Sequence, residues 1–134
     1  MDPAQAKILL VDDDTDLREA LTLGFRRRKY QVVDAANGRD ALEIVRNQKV
    51  HIVLSDIRMP GGDGMELLQE LRQIDPKIPV LIFMTGFADI TQSQAIAAGA
   101  HKIFAKPFDQ KALHAEVEAI LADWEKNYQS PSTN

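Results

Sequence analysis

Ile52-Val53-Leu54-Ser55-Asp56-Ile57-Arg58-Met59-Pro60 is the stretch that decides the fold. Its apolar residues run without a break toward an aspartate, and such a run reads as a strand buried on both faces, as in a parallel sheet. Met59-Pro60-Gly61-Gly62 then interrupts the pattern. Asp56 therefore stands at the carboxyl end of a central strand, the edge where open α/β sheets place ligands. A lone aspartate there would be an ordinary turn starter. Asp56 has company, because other apolar runs end in Asp12-Asp13, in Thr85 and near Lys106. Three carboxylates, a hydroxyl and an ammonium at one sheet edge form a phosphoryl site with a metal.

Upstream, Lys7-Ile8-Leu9-Leu10-Val11 reads as a buried strand after a short leader, residues 1–6. Thr15 to Arg28 repeats Leu17, Ala20, Leu21, Gly24 and Phe25 at helical spacing, with Asp14 or Thr15 as cap. Arg26-Arg27-Arg28-Lys29 puts positive charge against the negative end of that helix's dipole, which accounts for the run without a binding patch. Gln31 to Ala35 is a second strand, and Asn37-Gly38 opens a helix to about Gln48 with Ala41, Leu42 and Val45 inward.

Downstream, Asp63 and Glu66 have capping-box spacing, starting a helix that ends before Asp75-Pro76. Pro79 to Met84 is a fourth strand delivering Thr85, and Gly86-Phe87-Ala88-Asp89 is a loop. Ile90 to Ala98 is a weakly patterned helix stopped by Gly99. Lys102 to Ala105 is a short fifth strand before Lys106-Pro107. Asp109 caps a last helix whose apolar positions are Leu113, Val117, Ile120, Leu121 and Trp124, with Phe108 and Leu113 as a staple. Five strands alternating with helices across short loops imply one α/β domain, residues 1–128, with a doubly wound parallel sheet. Residues 129–134 are small and polar and read as a disordered tail.

The 134 residues suffice for one core, and a formal net charge of −4 advertises no basic surface for nucleic acid. The absence of cysteine excludes disulfides, zinc–thiolate sites and thiol nucleophiles. No apolar run approaches the roughly 20 residues of a membrane span, and no signal peptide opens the chain, so a cytoplasmic location is expected.

Magnesium takes oxygen ligands and keeps several waters, so carboxylates gathered at a strand end offer it a partial cage. Neighbouring strand residues point to opposite faces, so Asp12 and Asp13 serve one ion only if the chain turns there. Asp56 can then act as nucleophile toward a phosphoryl donor, while the metal, Lys106 and the Thr85 hydroxyl each meet part of the charge on the phosphoryl oxygens.

These pieces resemble the receiver (CheY-like) domain of bacterial two-component response regulators over residues 6 to about 123. The resemblance is carried by Ile8-Leu9-Leu10-Val11-Asp12-Asp13, by Ser55-Asp56-Ile57-Arg58-Met59-Pro60 with Gly64, by Thr85, and by Lys106-Pro107-Phe108. It implies a five-stranded sheet in the flavodoxin-like order 2-1-3-4-5. Asp56 would be the phosphoacceptor, charged by a histidine kinase or a phosphotransfer protein. Mg²⁺ would be held by Asp12, Asp13, Asp56 and the Arg58 carbonyl. Thr85 would hold a phosphoryl oxygen, Lys106 would pair with the group, and the Lys106–Pro107 bond would be cis. Such a domain is no enzyme beyond assisting its own phosphorylation and dephosphorylation. It acts on a downstream effector without binding nucleic acid or membrane itself. No effector follows the last helix, so the chain reads as a stand-alone receiver or as one belonging to a larger regulator or hybrid kinase.

Two positions depart from the family pattern. The switch aromatic usually lies three residues before the lysine, where this chain has Ile103; Phe104, next to it, belongs to the opposite face and reads as core. The span from Thr85 to Gly99 is about one residue short, so the fourth helix is expected to start late or be irregular. Arg58 and Phe87 lie two positions after Asp56 and Thr85, where family members border the site and tune loss of the phosphoryl group. His51, His101 and His114 lack metal-ligand spacing and read as structural or solvated, and Trp124 reads as a packing residue.

Three other readings compete. Asp12-Asp13-Asp14-Thr15-Asp16 looks like the first motif of haloacid-dehalogenase-type phosphatases, with Asp12 as nucleophile, but Asp16 stands where Thr or Val belongs and the later acidic motif is missing. As a calcium loop it fails at Leu17 and Leu23, where Gly and Glu are required. A phosphorylation-independent interaction module would leave Asp12, Asp13, Asp56, Thr85 and Lys106 without purpose.

Overall fold

A computed structural model describes residues 1–86 and 90–128. The strands are β1 (Lys7–Val11), β2 (Gln31–Ala35), β3 (Ile52–Ser55), β4 (Val80–Thr85) and β5 (Lys102–Ala105). The helices are α1 (Thr15–Arg27), α2 (Gly38–Asn47), α3 (Gly64–Ile74), α4 (Gln92–Ala97), α5 (Gln110–Ala122) and a single turn, α6 (Trp124–Asn127). All strand pairs are parallel and the order is β2-β1-β3-β4-β5, as expected.

The two-residue period of the strands divides the core. Ile8, Leu10, Ile52, Leu54, Ile82 and Met84 face Leu21 and Phe25 of α1 and Leu113, Val117, Ile120 and Leu121 of α5. Leu9, Val11, Val53, Leu81 and Phe83 face Ala41 of α2, Leu67, Leu68 and Leu71 of α3, and Ala95 of α4. Each large side chain fully buried this way contributes about 1.5–3 kcal/mol. β1, β3 and β4 are covered on both faces, which is why they carry unbroken apolar runs.

The helix ends follow from local chemistry. Asp14, Asn37, Asp63, Thr91 and Asp109 each accept a backbone N–H with the side chain. Asp63 and Glu66 form the expected capping box. Gly99 follows α4 at a φ of 108°, a conformation that favours glycine. The fourth helix does start late, at Gln92 rather than Ile90, because Thr91 caps it and closes a second capping box with Gln94.

Some expectations need correction. Ala20 is exposed; Leu42 and Val45 do point inward, half-buried against the core. The last helix stops at Ala122; the chain turns at Asp123, and Trp124 packs from α6 into the α1–α5 core. The leader contains a 3₁₀ turn, Pro3–Gln5, and buries Ala6. No helix among the described residues is long and apolar enough to cross a membrane. Phe87 and the tail 129–134 lie outside the described residues.

Candidate functional site

The strand ladders run one residue past the strands and fix the carboxylate backbones. Asp12 N–H donates to the Ala35 carbonyl at 3.2 Å, and Asp56 N–H to the Val11 carbonyl at 2.9 Å. Lys106 N–H reaches the Thr85 carbonyl at 2.8 Å. Three separate segments are thereby held at one end of the sheet by main-chain bonds.

The side chains then converge. Lys106 Nζ donates to Asp12 Oδ2 at 2.8 Å and to Asp56 Oδ2 at 3.1 Å. The other oxygen of each carboxylate is held by backbone: Asp12 Oδ1 by Asp14 N–H at 2.9 Å, Asp56 Oδ1 by Ile57 N–H at 2.7 Å. Asp12 is 1% exposed and Asp56 7%, so both face little water. Burial opposes the charge on Lys106, but the hydrogen bonds and charges of Asp12 and Asp56 prevail and raise its pKa above the usual lysine value. It stays an ammonium.

Asp13 is exposed, yet one oxygen each from Asp12, Asp13 and Asp56 lies within 4.8 Å of the others. The chain turns after Val11 as two adjacent ligands require. Three carboxylates, two buried and one reaching in from solvent, make an all-oxygen donor set that fits a hard divalent cation. Beside them opens a cleft of about 710 Å³ lined by Asp13, Asp56, Arg58, Met59, Asp63 and Met65. Arg58 is exposed at its rim, and Thr85 is buried at the end of β4, opposite Ala105.

Gly64 is demanded by this geometry. A Cβ there would run into the Asp56 carbonyl and come within 2.9 Å of the Phe83 ring. Glycine lets the first turn of α3 press on the strand end, where Gly64 N–H bonds the Ile57 carbonyl at 2.7 Å. Arg18 was not anticipated. From α1 it bonds the Asp12 carbonyl and, at 3.0 Å, Asp34 Oδ2, tying β1 to β2 just behind the site. No periodicity marks it; only its position on the polar side of α1 near Asp34 could have.

The Lys106–Pro107 bond is cis as expected, and Ile78–Pro79 is cis as well. Ile103 is buried on the α2–α4 face. Phe104 does take the opposite face, half-buried, with its ring 6.1 Å from Phe108 and Lys102 Nζ 5.2 Å from its centre. The histidines are spread out, as expected: His101 Nε2 lies 2.7 Å from Glu116 Oε2, while His51 and His114 are buried.

A family model for the response regulator receiver domain matches residues 8–118. Sporulation initiation phosphotransferase F of Bacillus subtilis (strain 168) is 40% identical over 118 residues, covering 86% of this chain and 93% of the relative. Other curated relatives are longer, and the chain spans 52% of one and 26% of another. Among solved structures, a CheY-like response regulator receiver domain protein from Methanospirillum hungatei JF-1 superposes with a TM-score of 0.84 at 30% identity, over 90% of this chain and 97% of that one. The response regulator TrrA of Thermotoga maritima, solved in complex with Mg(2+)-BeF, gives a TM-score of 0.77 at 27% identity, over 87% of this chain and 99% of that one.

Proposed function

The chain belongs to the response regulator receiver domain family, and from that premise we propose that Asp56 is the side chain that takes up the phosphoryl group. The protein is a phosphoacceptor domain of two-component signal transduction rather than an enzyme with a turnover substrate. Receiver domains bind Mg²⁺ in their acidic pocket. Here Asp12, Asp13, Asp56 and the Arg58 carbonyl would hold it. The bound ion would neutralise charge shared between carboxylate and phosphoryl oxygens.

A carboxylate oxygen of Asp56 attacks phosphorus, the bond from phosphorus to the donor's imidazole nitrogen breaks, and the imidazole leaves with the electron pair. An acyl phosphate remains on Asp56. Lys106, a point charge on a flexible stem already bonded to Asp12 and Asp56, follows the negative charge onto the phosphoryl oxygens. Thr85 donates its hydroxyl to one of them. That demand draws Thr85 toward Asp56 and shifts the balance of conformations of α4. The donor is a sensor histidine kinase or a phosphotransfer protein, the reader of the signal is an effector protein or domain, and the exchange takes place in the cytoplasm.

The observation that carries this reading is the convergence of Asp12, Asp13 and Asp56 with Lys106 bonded to two of them. Its test is intact-mass spectrometry after incubation with acetyl phosphate, with and without Mg²⁺. One phosphoryl adduct that needs the metal and vanishes in Asp56→Asn is expected. Undiminished labelling of Asp56→Asn moves the nucleophile elsewhere. No adduct on the wild type favours a phosphorylation-independent module.

A further inference from the structure

β5 is an edge strand, with β4 on one side only. Its outward backbone groups need a partner. At Ile103 both are taken by one side chain. Gln92 Nε2 donates to the Ile103 carbonyl at 2.8 Å, and Gln92 Oε1 accepts the Ile103 N–H at 3.1 Å. A primary amide offers the donor and acceptor of a peptide unit, so Gln92 stands in for one residue of a missing sixth strand.

Gln92 is also the first residue of α4, directly after its capping residue Thr91. The start of α4 is thus fastened to a four-residue strand. Apolar packing does little there, since the helix buries only Ala95. Three residues beyond Ile103 stands Lys106, whose N–H holds the Thr85 carbonyl and whose Nζ holds Asp12 and Asp56. Hydrogen bonds join the carboxylates to Lys106 and Ile103 to Gln92 at the start of α4, and three residues of covalent backbone join Ile103 to Lys106. The Ile103 side chain is aliphatic, so its part in this path is played by its main chain.

We propose that Gln92 is a positioning residue that fastens α4 to the edge strand at Ile103 and carries changes at the carboxylate site into α4. The proposal rests on Asp56 being the acceptor. Spatial continuity alone does not establish coupling, so the test measures transmission.

The experiment records amide spectra of the ¹⁵N-labelled protein with Mg²⁺ and beryllofluoride, a phosphoryl analogue, for wild type, Gln92→Ala and Gln92→Glu. Wild type should shift both at the site (Ile57, Lys106) and in α4 (Ala95, Ala97). Both variants should keep the site shifts and lose more than half of the α4 shifts. Glutamate keeps the reach but sets a carboxylate oxygen against the Ile103 carbonyl. Hydrogen exchange at the Ile103 amide should accelerate at least tenfold in Gln92→Ala. Full-sized α4 shifts in both variants overturn the proposal, as does unchanged protection of Ile103. A wild type with no shift at the site overturns the acceptor reading, and the coupling with it, while exchange at Ile103 still reports on the clasp separately.

Discussion

α4 and α5 flank the same edge strand and are held to the sheet in opposite ways. α5 has 13 residues and buries Leu113, His114, Val117, Ile120 and Leu121. α4 has six and buries only Ala95; the Gln92 clasp on Ile103 ties it to the sheet, while the Thr91–Gln94 capping box holds its own first turn together. Apolar burial scales with area and has no direction, so a displacement of a few tenths of an ångström scarcely alters it. Hydrogen bonds depend on distance and angle and are lost over a small movement. The helix held by area suits a scaffold, and the helix held by directed bonds suits an element that responds. Regions with few buried apolar contacts are also those that open at lowest free energy.

The sharpest way to break this comparison is to remove area from α5. Leu113→Ala deletes a fully buried side chain and is expected to cost about 2–5 kcal/mol of global stability, read by urea denaturation. A loss below about 1 kcal/mol would mean that α5 is not held by area. Thr91→Ala removes the cap of α4, worth about 0.5–2 kcal/mol. That loss should be local. Exchange should quicken at the α4 amides while the denaturation midpoint barely moves, and an equal loss of global stability would make α4 part of the same cooperative unit as α5.

The same contrast sets what could be read from sequence. Strands β2 and β5 and the caps at Asp63 and Asp109 were legible because they depend on local signals, a short apolar segment between turns or a side chain reaching two or three residues. The gathering of Asp12, Asp13, Asp56 and Lys106 was legible because chain segments end in these groups, and a parallel sheet brings such ends together. The Gln92 clasp was not. It joins residues 11 apart, uses a common side chain, and exists only because β5 is an edge. Arg18 escaped for the same reason, as its partners are Asp12, just past β1, and Asp34 on β2. The break at Asp123 was hidden by an apolar stripe that continues through Trp124 in phase.

The smallest expected effect is a pH dependence confined to the scaffold side. His51 accepts the Lys7 N–H on Nδ1 at 3.0 Å and meets the edge of Trp124, so protonation removes an acceptor. Burial lowers its pKa below the usual histidine value, and Lys49 and Lys7 add to that. His114 packs on Phe25 with its ring centre 4.3 Å away, and its pKa is lowered by burial and then by Arg28, with Glu118 opposing. Both groups bind a proton more readily in the unfolded chain than in the folded one. Their contribution to stability is therefore complete above about pH 6.5 and is lost as pH falls through the folded-state values. Urea denaturation at pH 7.5 and 5.5 should show lower stability in acid, and imidazole resonances of both residues should titrate below 6.5. Titration of His51 at or above that value would contradict its buried acceptor role, and with it the picture of the α1–α5 side as a densely packed scaffold.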